Sequence, residues 1–197
     1  MKMFWGVVLG VSVQAFAFAQ DGAATAEPVT RYGDAGWGWT GDLALEFGGD
    51  DVATVSFTDG STQDVKAGQG VGFAIGGHYR CSEYSPYDFR ATIGYKYVTT
   101  QATNADITLT RFTYEFSAIR NLDQKWWLGA SLIHHSNISF DADGLGPDGD
   151  FEDSTGFGLR IGYGIFALAY KKLSYRPEGG SDDFDASNIG FQITGNF

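Results

Sequence analysis

The sequence predicts an all-β fold, an eight-stranded antiparallel up-and-down β-barrel of the transmembrane kind. Three observations carry that expectation. Apolar residues recur at every second position in eight segments, each long enough to cross a bilayer at about 9–11 residues. The opposite faces of these segments carry small residues and charges of both signs, namely Asp42, Glu46, Arg90, Lys96, Arg111, Glu115 and Arg160. Aromatic residues make up 16% of the chain and glycine contributes 28 positions, a composition that suits a barrel better than a soluble domain. A soluble sandwich turns its apolar face inward. Here apolar faces are expected toward lipid and charged faces toward a narrow, side-chain-filled lumen, where opposite charges can pair.

The strands follow in order. The first begins near Trp37, includes Gly41–Phe47 with Leu43, Leu45 and Phe47 on one face, and continues past a kink at Gly48-Gly49 through residues 53–57. Asp59-Gly60 is a hairpin turn signal. The second returns through residues 63–66 and 71–79, alternating Val71, Phe73, Ile75 and Tyr79 with small residues. After a turn at 81–88 the third spans 89–99, and a loop at 101–105 leads to the fourth at 107–120. Residues 121–125 form a tight polar turn. The fifth is 126–140, with Trp126, Leu128, Ala130 and Leu132 on one face and Trp127, Gly129, Ser131 and Ile133 on the other. An acidic, Gly-rich loop fills 141–153. The sixth strand is 154–165, the seventh 166–176, and the eighth 186–197 after a second acidic loop. Short turns at 81–88, 121–125 and near Ile165 are expected at the periplasmic end, with the longer loops outside.

The N-terminus states an address. Lys2, the apolar run Phe4–Ala19 and the small-x-small site Ala17-Phe18-Ala19 predict a signal peptide over residues 1–19, cut before Gln20. Residues 20–33 read as a flexible lead-in and 34–197 as the barrel. The expected location is the bacterial outer membrane. Expected partners are outer-membrane lipid, lipopolysaccharide and the barrel-assembly machinery, whose C-terminal aromatic signature Phe197 resembles. The formal net charge of −11 argues against nucleic acid. A single cysteine, Cys81, permits no internal disulfide in what is expected to be a monomer.

The fifth strand carries the one chemical constellation. His134 and Ser136 lie two apart, hence on one face, at the outer end of an outward-running strand. A nucleophilic serine needs a base within reach and a third group to orient that base. Glu152 or Asp153 could supply it: in strict register Asp153 shares the face of Phe157 and Leu159, while Glu152 points inward. His134-His-Ser136-Asn137 resembles the His-x-Ser-Asn motif of the outer-membrane lipid A deacylase (PagL) family, eight-stranded barrels that hydrolyse an ester-linked acyl chain in the outer leaflet. The resemblance spans residues 129–161. It implies Ser136 as nucleophile, His134 as base, Glu152 as orienting acid and Asn137 as an oxyanion-hole contributor. A second resemblance, on residues 50–68 and Ala91–Lys96, is to a broad group of small bacterial outer-membrane barrels of the OmpA-like or opacity type, with no assigned activity. That resemblance implies no serine partner for the histidine at the end of this strand, and the polar tip of His134 is then expected as an anchor at the membrane interface.

The remaining signals are weaker. Asp141, Asp143, Asp148 and Asp150 sit without EF-hand spacing and read as solvated loop residues. His78 is expected at the lumen or interface, and His135 inward, hydrogen-bonded beside Ser131. Trp126, Trp127, Tyr95, Tyr97 and Tyr163 read as girdle aromatics. No phosphate loop or zinc spacing appears, and no cofactor is expected. The leading expectation is a non-enzymatic envelope barrel with acidic outer loops. The alternative is a deacylase-like serine esterase acting on outer-leaflet lipid. A transport pore ranks third, disfavoured by size.

Overall fold

The computed structural model describes residues 30–56, 62–102, 105–144 and 147–197; the expected leader at 1–19, residues 20–29 of the lead-in and the Asp59-Gly60 turn lie outside them. Its strands are β1 (Gly36–Phe47), β2 (Asp51–Ser56), β3 (Thr62–Lys66), β4 (Gly70–Arg80), β5 (Tyr87–Ala102), β6 (Ala105–Asn121), β7 (Trp126–Asp141), β8 (Gly149–Phe151), β9 (Ser154–Tyr163), β10 (Phe166–Lys172), β11 (Ser174–Tyr175), β12 (Phe184–Asp185) and β13 (Asn188–Asn196). Eight of them close an antiparallel ring in the order β1-β4-β5-β6-β7-β9-β10-β13, and β13 pairs back onto β1 from Asn196↔Thr40 to Ile189↔Phe47. The expected eight-stranded barrel is therefore the observed fold. Closure gives each wall strand a hydrogen-bonded neighbour on both sides and leaves no long free edge.

Alternation sorts the wall as period two requires. Leu43, Phe73, Ile75, Leu132, Leu159 and Phe191 point outward and stay exposed, forming an apolar belt. The inward positions divide into three layers. Toward the loop end lies an apolar cluster of Val65, Val98, Leu109, Ile133, Ile138 and Tyr175. The middle is charged: Glu46 contacts Lys96 and lies 2.9 Å from Lys171 Nζ, which also reaches Glu115 at 3.4 Å, and Arg160 lies 2.7 Å from Glu115. At the turn end Asp88 faces His78 at 3.5 Å, Arg80 at 3.4 Å and Arg90 at 3.8 Å. The void between Asp42, Glu46, Lys96, Glu115 and Lys171 holds about 30 Å³, room for no more than a water or two.

Several elements depart from the sequence expectation. The first and second strands do not run on through residues 53–57 and 63–66. At Gly48 (φ 126°) and Gly49 (φ 88°) the chain leaves the wall, and β2 and β3 pair only with each other as a separate hairpin. A Cβ at Gly49 would meet the backbone of Gly68 and Asp185, so this exit needs glycine on both counts. Within the expected loop at 101–105, Gln101, Ala102 and Ala105 are strand residues, because β5 and β6 stay paired out to Ala102↔Ala105. The acidic loop after β7 contains β8, which folds back on Ile138–Phe140.

Trp127 is not a girdle residue. It is buried inside, its Nε1 donating to Gly164 O at 3.0 Å and its ring lying over Gly162, where any side chain would collide with it. His135 is inward as expected, but its partner is the Tyr175 hydroxyl at 2.6 Å. The described end of the lead-in is tied down, with Tyr32 N–H donating to Glu83 O at 2.8 Å and Arg31 2.7 Å from the Glu83 carboxylate. In the 121–125 turn, the backbone N–H groups of Trp126 and Lys125 each donate to Asp123 at 2.7 Å and hold its carboxyl below the usual range.

Glu46 is the shared counter-charge of two buried ammonium groups. Glu46→Ala is expected to destabilise the barrel by ~3–5 kcal/mol, because it strands those charges where water cannot reach them. Urea unfolding in detergent, read by the gel shift between folded and heat-denatured forms, measures this. A loss below about 1 kcal/mol, the scale of an exposed pair, would show that Glu46 does not hold the lumen.

Candidate functional site at the loop end

The outward face of β7 reaches the loop end with His134, and a change of register follows. Phe112 pairs with Ser136 but Thr110 pairs with Ser139, so Asn137 and Ile138 together oppose Arg111. Asn137 has φ 48°, the left-handed region, which a short polar side chain tolerates better than most non-glycine residues. This is a β-bulge, a device that re-aims side chains. Before it, even-numbered residues point out; after it, Ile138 and Phe140 are buried inside. Ser136 and Asn137 therefore follow one another at the outer surface, with Asn137 exposed.

His134 is anchored across the strand pair. It sits opposite Thr155 of β9 and Tyr114 of β6. Its Nδ1 shares a hydrogen bond with Thr155 Oγ1 at 3.0 Å, and its Nε2 lies 3.6 Å from Asp153 Oδ2. The Tyr114 ring centroid is 6.0 Å from the imidazole, tilted at 44°. The His134 and Asp153 side chains are 43% and 60% exposed, so their attraction is weak in the ground state. Continuing the β7–β9 register by one step places Asp153 opposite Ser136.

Of the residues singled out from sequence, the structure gathers His134, Ser136, Asn137 and Asp153 at one outward rim. Glu152 is elsewhere: its N–H donates to Arg176 O at 2.8 Å, and it lies among the charges around Arg176. The imidazole faces Thr155 of β9 through Nδ1 and Asp153, the residue before β9, through Nε2. Attack by Ser136 therefore requires the imidazole to turn and exchange one of them for the serine hydroxyl. Thr155 was missed from sequence. Its membership depends on the β7–β9 register, and the only sequence signal was that it shares a face with Asp153 and Phe157. Among the described residues, no group of three or more histidines, cysteines and carboxylates is placed to hold a metal.

Comparison with protein-family models and with curated proteins gives no match to this chain.

The bulge makes Asn137 conformationally special. Asn137→Val is expected to cost about 1–3 kcal/mol, because a β-branched residue resists positive φ, whereas Asn137→Gly should be close to neutral. Denaturant midpoints of the two variants in detergent decide this; equal midpoints would mean that residue 137 does not hold the left-handed conformation.

Proposed function

We propose that this chain is a small bacterial outer-membrane β-barrel with a sealed lumen, exported by its N-terminal leader, that acts through its loop end and is not a pore. The apolar belt carries this reading. A soluble monomer rarely exposes a contiguous apolar patch beyond a few hundred Å², and here every one of the eight wall strands turns large apolar side chains outward. Lipid is the solvent that accommodates such a surface, and a closed wall satisfies the backbone within it. The charged middle layer leaves no aqueous path. The short turns at 121–125 and 163–166 lie at the opposite end from the β2–β3 hairpin and β8, which supports placing the latter end outside the cell.

A second reading is favoured by one observation, the Asp153 carboxylate beside His134 Nε2 on the face that carries Ser136. On this reading the rim is a serine ester hydrolase for an outer-leaflet acyl ester. His134 removes the Ser136 proton as Oγ attacks the ester carbonyl, and Asp153 stabilises the imidazolium that forms. The Asn137 amide donates to the developing oxyanion. The tetrahedral intermediate collapses with loss of the alcohol, which takes the proton back from His134. Water then releases the acyl group. Glu152 is replaced in this scheme by Asp153.

Two measurements test these readings. Reconstituted into planar bilayers, the folded protein is expected to give no steady conductance; stable ohmic channels would overturn the sealed lumen. Lipid A from cells producing the protein is expected to match that of empty-vector cells by mass spectrometry. Loss of one acyl chain that disappears with Ser136→Ala would replace the non-enzymatic reading by the hydrolase.

A further inference from the structure

Above the apolar layer, a chamber of about 650 Å³ opens between the β2–β3 hairpin, the β7–β8 loop and the segment around Pro177. Its size is that of a small-molecule site. Val52 and Ala53 of the hairpin form one side, and Phe140, Phe151 and Phe184 supply aromatic surface. Phe140 and Phe151 belong to the buried cluster beneath, and Phe184 packs edge-on to Phe151 with centroids 6.1 Å apart. The floor and walls are thus fixed by the fold.

The chamber's charge has one sign. Asp148 and Asp150 line it, and among the described residues of the lining there is no lysine or arginine. Two cations of the loop end are already paired: Lys66 lies 2.5 Å from Asp51, and Arg176 makes a two-pronged pair with Asp183 at 2.8 and 3.2 Å. Asp148 Oδ1 accepts the Ala142 N–H at 2.8 Å, which holds the loop against the chamber. Asp150 is held by its backbone, paired with Ser139 across β7–β8 and accepting the Glu178 N–H at 2.9 Å. A cavity whose described lining is apolar and aromatic, with carboxylates as its charged groups, suits a hydrophobic cation, because aromatic faces and carboxylates both attract positive charge.

We propose that this chamber binds a small hydrophobic ammonium compound, its apolar body among Phe140, Phe151 and Phe184 and its charge toward Asp148 and Asp150. The site is independent of the chemistry at Ser136, which lies on the outside of the wall.

The test uses the full mature chain folded in a neutral maltoside detergent. Trimethyl(1-naphthylmethyl)ammonium is titrated by calorimetry beside 1-naphthaleneacetate, with empty micelles as the blank. The cation is expected to bind saturably and at least about tenfold tighter than the anion. The double variant D148N/D150N, which keeps a side-chain acceptor for the Ala142 N–H, is expected to lose about that factor. Ala53→Trp, which fills the chamber, is expected to abolish binding while the folded form still shifts on gels. Equal binding of both naphthalenes overturns the ammonium preference. Cation binding unchanged in the double variant overturns the carboxylates' role, and binding unchanged in Ala53→Trp overturns the location. Absence of saturable binding overturns the proposal as a whole.

Discussion

An eight-stranded barrel is only as wide as the side chains that fill it, and in this chain the filling is ionic. Glu46 from β1 lies between Lys96 of β5 and Lys171 of β10, and Lys171 is shared with Glu115 of β6, which holds Arg160 of β9. Five strands are thereby tied through one network at mid-height. Each of these charges has lost water, and its stabilisation depends on partners contributed from other strands. Lys96 and Arg111 even sit directly opposite each other across β5–β6. Their mutual repulsion is relieved because Lys96 donates to Gly68 O at 2.6 Å and Arg111 to Gln69 O at 2.7 Å, carbonyls in the turn before β4. The lumen thus reaches up to hold the loop end, as well as closing the middle.

Much of this was legible in the alternation. Wherever a strand runs without irregularity, period two assigns each residue to a face, and the charged lumen residues Asp42, Glu46, Arg90, Lys96, Arg111, Glu115 and Arg160 are all buried inside or nearly so. Elements that depend on something other than alternation were not legible. The β2–β3 hairpin alternates like a wall strand, but two positive-φ glycines turn it out of the wall. Trp127 satisfied the composition of a girdle while its parity placed it inside, and parity prevails because the Gly162 opposite leaves room for an indole. Among the candidate site residues, Asp153 and Glu152 were separated by face alone. The strand register, which the sequence does not specify, then chose Asp153 for His134.

The apolar upper layer was also hidden. Ile138 and Phe140 share the parity of Leu128 and Leu132, so simple alternation sends them outward. They are buried because Asn137 adds one residue to β7 opposite Arg111. A glycine at such a position announces a turn or bulge; an asparagine inside His-His-Ser-Asn does not, because its polar side chain reads first as chemistry.

That one bulge links the two candidate sites of the loop end. By shifting the register after Ser136, it keeps Ser136 and Asn137 on the outside beyond His134 and sends Ile138 into the buried cluster and Phe140 into the chamber lining. Without it, unshifted alternation would turn these two apolar side chains outward and send Ser139 and Asp141 inward in their place, burying a carboxylate where the chain now buries apolar surface. The register also fixes β8, whose pairing with Ile138–Phe140 positions Asp150 and Phe151 at the chamber. A single residue at positive φ therefore determines what the outer rim presents and what the chamber can contain. Any function assigned to either site has to be compatible with the same strand geometry.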